Sequence, residues 1–396
     1  MYHSPFAASV PHPGDPCGAS LGRCALARSA GALCLLLVCV MAVMLAAVTP
    51  AISGSDLGEA WRAYGAAVKR HAPPDELLPL AQDVYDALPA RPEAPKQIRT
   101  KAAAAFNLAK ALEGTHSLRE ARTRLRESIR LFEQASGKDS LDLVDPLWEL
   151  AVVESVLKDN QRIFQRLFLQ LDRLLEKAGP PYAMTRIELR VDAARHLIRY
   201  GADDLAGEHL TWLEEHADLA GRQRPIVLAS VALQRGLLDL GLRHYRSAAR
   251  RLKRAHELFT KRFSPSDQRS LKAASYLVTA LEELGRSEEA TAYCQEIGRY
   301  QPPGGTMDYL PIYRTTPIYP SAAAQRGTQG YVVVSLTVTK EGRVADIKVI
   351  EGNPPGAFER AAIAAARRFR YAPRFHDGKP VDTPDVRYIF TFRLQD

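Results

Sequence analysis

The sequence predicts a multidomain chain, an all-α array of helical-hairpin repeats followed by a small α+β domain with an antiparallel sheet. Three observations carry that prediction. Residues 56–300 are dense in Ala, Leu, Arg and Glu and show no strand-like alternation. Turn residues Gly114, Asp159, Gly201, Gly241 and Gly285 close apolar helical patterns at spacings of 45, 42, 40 and 44 residues. Beyond residues 301–305 (QPPGG) the apolar period changes from helical to two.

Composition bounds the remaining choices. At 396 residues the chain exceeds what one core needs, and 46% hydrophobic with 25% charged residues excludes a wholly disordered, collagenous or polytopic membrane chain. The net charge of +8 is too dilute to name an acidic partner. Five cysteines, none in a CxxC pair, exclude a disulfide scaffold and a zinc site of the usual spacing. Four of them (Cys17, Cys24, Cys34 and Cys39) lie in or before the first apolar run, leaving Cys294 alone in the body.

Residues 1–29 are rich in Pro, Gly, Ala and Ser and read as a disordered extension. Residues 30–48 carry no charge for 19 positions, about 28 Å as a helix, which matches a bilayer's hydrocarbon core. Arg23 and Arg28 precede the run, so the remainder is expected outside the cytoplasm. Residues 30–51 are either an inner-membrane anchor or a cleaved signal, the latter favoured by the small residues after Thr49-Pro50. The expected location is the inner membrane, single-pass with a periplasmic body; cleavage would instead leave a soluble periplasmic protein.

In the helical region, 52–300, Pro95, Pro146, Pro180-Pro181, Pro225 and Pro265 mark helix starts, because proline is tolerated in a first turn and breaks an interior. Gly241, Tyr245 and Ala248, with Leu284-Gly285 and Ala290, make the region resemble a tetratricopeptide-like array. Such stacks bury a continuous core and bind protein partners, here of unknown identity. His196, His209, His216, His244 and His256 read as helix-surface residues; His256-Glu257 begins an HExxH pattern, but Thr260 stands where the second histidine belongs.

Residues 301–306 read as a linker, and 307–396 as the last domain. Val332, Val334, Leu336 and Val338 form one face of a strand, and residues 340–343 (KEGR) a hairpin turn with glycine at its positive-φ position. A return strand follows, with Ala345, Ile347 and Val349 expected inward. Phe358, Ala362, Ala365 and Phe369 form the apolar face of a helix that residues 371–373 (YAP) stop. Val386, Tyr388, Phe390, Phe392 and Leu394 face inward from a final strand, opposite Arg387, Thr391 and Arg393. Arg367, Arg368, Arg370 and Arg374 read as a solvated basic helix end rather than a nucleic-acid site, and Asp377, Asp382 and Asp385 as turn residues.

The motifs of this domain occur in a familiar order: 316–320 (TPIYP), 327–334 (GTQGYVVV), 338–344 (VTKEGRV), 358–362 (FERAA), 367–373 (RRFRYAP), 378–381 (GKPV) and 390–392 (FTF). They resemble the TonB C-terminal domain. The resemblance implies an energy transducer of Gram-negative cells, anchored beside an ExbB/ExbD motor. It would grip the TonB box of an outer-membrane receptor and support import of siderophores or similar ligands. It further implies that the receptor peptide adds as a strand to the last strand. The implied partner-binding residues are then Arg314, Thr316, Pro317, Ile318, Tyr319 and Pro320, with Val386, Arg387, Tyr388, Ile389, Phe390, Thr391 and Phe392.

Departures from that family, which bear on box recognition and on motor coupling, leave open an alternative, a periplasmic protein-protein interaction scaffold with no energy coupling. Thr316 and Ile318 stand where well-known members carry glutamines, and residues 30–48 contain neither serine nor histidine. The helical region also replaces the usual Pro/Lys-rich rod. No GxGxxG, P-loop or GxSxG occurs, so neither an enzyme nor a cofactor is expected.

Overall fold

The computed structural model describes residues 54–157, 161–300 and 309–394. The expected extension at 1–29, the anchor or signal at 30–51 and the linker at 301–306 lie outside the described residues. Within them no helix is long and apolar enough to cross a membrane. The described residues form fourteen α-helices and five strands in two compact units, 54–206 and 207–394.

In the first unit, α1 (Gly54–Lys69), α2 (Pro74–Asp86), α3 (Pro95–Gly114), α4 (Leu118–Ser136), α5 (Val144–Val156), α6 (Gln161–Ala178) and α7 (Ala183–Arg199) pack in chain order as hairpins. Pro95 opens α3 and Pro146 sits in the first turn of α5, as predicted, whereas Pro79 is accommodated inside α2 and Pro265 lies in the turn before the helix that begins at Gln268. Ala102, Ala104, Ala105 and Ala109 are fully buried, so α3 and α4 approach closely enough for Ser128 Oγ to donate to the Ala102 carbonyl at 2.8 Å. Phe164, Phe168, Leu171 and Leu175 of α6 fill the core beneath.

The second unit contains most of α8 (Asp203–Glu215), then α9 (Arg224–Gly241), α10 (Tyr245–Arg262), α11 (Gln268–Glu283) and α12 (Ser287–Arg299). Asp267 caps α11 by accepting the Arg269 N–H at 2.9 Å. Two histidines read as surface residues are buried here, His209 and His256. The helical pattern marks faces but not which face a neighbour covers. His256 donates to the Ser270 carbonyl (3.1 Å) and pairs with Glu296 (3.3 Å), so α10 is tied to both α11 and α12.

The last domain comprises α13 (Ser321–Gln325), β1 (Gly330–Val338), β2 (Val344–Asn353), α14 (Glu359–Ala366), the small hairpin β3 (Arg374–His376) and β4 (Lys379–Val381), and β5 (Thr383–Phe392). The main sheet is antiparallel in the order β2-β1-β5. Ala362, Ala365 and Ala366 of α14, with Phe358, Phe369 and Tyr371, cover the inward faces of β1 and β5. Two details differ from the sequence reading. The helix ends at Ala366, before the YAP segment. On β2, Val344 and Ile347 pack on the core while Val349 is 37% exposed and Ala345 only half-buried, because bulges near Asp346 (φ 48°) and Ile350 break the alternation.

The domain is docked on α11 and α12. Arg370, 2% exposed, reaches out from the strand-like segment before β3. It donates to Thr291 Oγ1 (2.7 Å) and the Glu341 carbonyl (3.1 Å), and its Nε lies 3.5 Å from Glu282. This corrects its reading as a solvated helix end. Tyr313 bridges to the Arg370 backbone, and its hydroxyl donates to Glu283 at 2.9 Å. A side chain at Gly298 would meet the Pro373 carbonyl at 2.1 Å, so only glycine permits this approach of α12.

Burial opposes the charge on His256, but Glu296 and the Ser270 carbonyl outweigh it and raise the pKa above the unfolded value near 6.5. Its stabilisation is therefore full below about pH 6.5 and fades as pH rises through the raised value. The loss of thermal stability in His256→Asn is expected to be larger at pH 6 than at pH 9; an equal loss at both would refute the charged pair. Arg370→Met leaves Glu282 buried without its cation, and urea unfolding of the 207–394 unit is expected to show about 3–5 kcal/mol lost. A loss under 1 kcal/mol would show that the domain does not depend on this contact.

Candidate functional site

Strand β5 is the sheet edge that remains open among the described residues on one side of β1. Every second residue of an edge strand directs its backbone N–H and C=O away from the sheet, where another chain can pair. β5 suits this better than β2. Seven consecutive residues, Phe392 back to Val386, pair with Gly330 through Leu336 without a shift, whereas two bulges interrupt β2. A regular edge offers evenly spaced partners; a bulged one does not.

The side chains of β5 divide as predicted, except that Leu394, expected inward, lies beyond the strand's end and is 38% exposed. Val386, Phe390 and Phe392 are 8%, 4% and 2% exposed, and Tyr388 is half-buried against Phe369 and Phe390. They hold the strand in place and leave only their backbone for a partner. Arg387, Ile389 and Thr391 are exposed, Ile389 by 57%, and these can meet a partner's side chains.

The second half of the predicted site, 314–320, lies beside the end of this strand through one residue. Tyr319 makes edge-on contacts with Phe358 (5.5 Å) and Phe392 (5.8 Å), which themselves stack at 4.3 Å. Its hydroxyl donates to the Thr328 carbonyl at 2.5 Å. Thr315 Oγ1 donates to the Ala365 carbonyl, so the segment is also pinned to α14. Exposure alternates along it: Arg314, Thr316 and Ile318 face solvent, Ile318 with 87% of its surface, while Pro317 and Pro320 are half-buried. Pro320 then enters α13, consistent with an entry clamp.

Local electrostatics help to fix this platform. The Glu359 carboxylate accepts the backbone N–H of Gly356 (2.7 Å) and of Phe358 (3.1 Å), which holds it below the usual carboxylate range and fixes the first turn of α14. Burial pushes Tyr309 up to about 12 and the Cys294 thiol up to about 11. Neither is an activated nucleophile at neutral pH. Among the described residues no cluster of His, Cys, Asp and Glu could hold a metal.

Residues 315–394 match the family model of the Gram-negative bacterial TonB protein C-terminal. The chain carries a TonB-family C-terminal domain. Over 96 residues it is 35% identical to Protein TonB of Pseudomonas aeruginosa, covering 24% of this chain and 28% of that protein. Over 79 residues it is 39% identical to Protein TonB of Escherichia coli, covering 20% and 31%. The chain thus spans under a third of the length of either relative. The solution structure of the Pseudomonas aeruginosa TonB C-terminal domain is 34% identical over 22% of this chain and 87% of that one, with a TM-score of 0.20. In this TonB-family domain the residues that sequence reading missed are Arg370 and Tyr313. Their role depends on α11 and α12, about eighty residues away in sequence for Arg370 and about thirty for Tyr313.

Tyr319→Ala removes the ring that joins the two halves and is expected to cost about 2–3 kcal/mol in domain stability, while Tyr319→Phe loses only the hydroxyl bond, about 1 kcal/mol. Amide exchange at Thr328 reads the difference; equal protection in both variants would show that the ring does not hold the segment.

Proposed function

We propose that this protein is a TonB-like energy transducer, not an enzyme, whose C-terminal domain binds the TonB box of an outer-membrane receptor. The open, regular edge of β5 carries this reading. An extended peptide added there pairs through its backbone, which tolerates varied box sequences, while Arg387, Ile389 and Thr391 meet alternate side chains. Arg314, Thr316 and Ile318 offer a second exposed row beside the strand's end. In this role the 30–51 segment is an inner-membrane anchor, the body is periplasmic, an ExbB/ExbD-type motor supplies the work, and the imported ligand is a siderophore or similar compound.

One sequence feature favours a second reading, a periplasmic scaffold without energy coupling. The apolar run lacks the serine and histidine through which the family engages its motor. The two readings separate on the mature protein. A membrane-bound chain that retains residues 30–51 keeps the tether a transducer needs; a soluble chain beginning near residue 52 has lost it and leaves the scaffold.

Strand addition is tested on the domain itself. Ile389→Pro is expected to abolish binding of a peptide carrying the TonB box of a receptor from the same cell, in a variant whose amide spectrum shows the fold intact. A box peptide N-methylated at alternate residues tests the same pairing without altering the protein, and is expected to bind the unmodified chain at least about tenfold more weakly. Undiminished affinity of the methylated peptide in both registers would refute backbone pairing.

A further inference from the structure

The first unit contains an open cleft of about 590 Å³ that the proposed function does not use. It is lined by Arg162, Gln165, Arg166, Leu169, Gln170 and Arg173 of α6, with Leu205 from the first turn of α8. The α6 positions recur at helical spacing, so they make one continuous face. Leu169 is 38% exposed on it, an apolar side chain between cations.

The charge on this face is not neutralised by α6's own carboxylates. Asp172 accepts from Arg186 (3.0 Å) and Arg190 (2.6 Å), and Glu176 pairs with Arg186 at 3.2 Å. Two arginines of α7 thereby hold the acids of α6 on the side of the helix packed against its neighbour. Arg166 and Arg173 are exposed and make no ion pair among the described residues.

We propose that this cleft is a docking site for an acidic, amphipathic peptide segment of a partner protein, separate from the β5 edge. Apolar side chains of the segment would seat on Leu169 and Leu205, and its carboxylates would meet Arg166 and Arg173, with Gln165 and Gln170 supplying hydrogen bonds. The concavity favours a peptide over a lipid surface: a bilayer is broad and presents no apolar side chains to fill a cleft. Arginine suits the role because its planar fork binds a carboxylate through two bonds at once.

The test uses the full-length chain and a panel of fluorescent 12-residue peptides, each with two leucines on one helical face flanked by glutamates. Saturable anisotropy binding is expected, weakened at least about tenfold by Arg166→Glu with Arg173→Glu. Leu169→Ser, at an exposed position, is expected to weaken it severalfold. Arg250→Glu with Arg254→Glu makes the same charge change on exposed α10 positions and is expected to leave affinity unchanged. Equal losses from both double variants would reduce the effect to net charge and overturn the site. Equal affinity for polyglutamate would overturn the apolar contribution. Binding of phosphatidylglycerol vesicles, lost in Arg166→Glu with Arg173→Glu, without peptide binding would assign the face to lipid headgroups. Absence of saturable binding across the panel up to millimolar concentration would also overturn the proposal.

Discussion

The buried guanidinium of Arg370 is the constraint on which the C-terminal unit is arranged. A cation taken from water demands partners, and no single element supplies them all. Thr291 comes from α12, Glu282 from α11 and the Glu341 carbonyl from the β1–β2 turn. Each must be in place before burial becomes tolerable. The neighbouring contacts fit the same geometry: Gly342 (φ 74°) brings its carbonyl to the Tyr371 N–H at 2.9 Å, and a Cβ there would strike the Tyr371 carbonyl. The small domain is thereby registered on the last helical hairpin by polar specificity, with Tyr313 and Cys294 adding to the apolar packing.

Docking and the proposed peptide capture use different parts of the domain. The contacts to α11 and α12 come chiefly from 312–313, 340–343 and 368–376, with β4 also beside α12, and none of these belongs to β5. The inward residues of β5 stabilise the core, so its outer backbone is held straight and pairs with no further strand among the described residues. A strand fixed in this way needs little ordering when a peptide arrives, which reduces the entropic cost of binding. The irregular β2 edge shows the opposite treatment, since bulges and charged side chains discourage pairing there.

Much of this was legible in the sequence because it rests on local periodicity. The alternation of β1 and β5, the glycine of the 340–343 turn and the prolines opening α3, α5 and α9 each act within a few residues. The failures share a different cause. Arg370 lies between Phe369 and Tyr371 in a basic run, and nothing within that run distinguishes a solvated arginine from one buried against residues about eighty positions earlier. His209 and His256 were misplaced for the same reason, and the bulges of β2 moved Val349 outward against a regular pattern. Of the candidate site, the edge strand was readable; that Tyr319 joins the 314–320 segment to its end through Phe392 was not.

For a transducer, the position of these contacts decides where a load would travel. Pairing at β5 would place tension on β1 through seven consecutive cross-strand positions, loaded together when the pull runs along the strands. From β1 the path continues into the 340–343 turn and then to α12 through Gln295, which donates to the Lys340 carbonyl at 3.1 Å, and through Arg370. This route runs in parallel with the covalent connection between α12 and residue 309. A domain held only by an unstructured tether would reorient before transmitting force, because such a chain resists little until extended. One anchored through a buried charge passes the load to α11 and α12 at once, until the pull exceeds what separates Arg370 from Glu282.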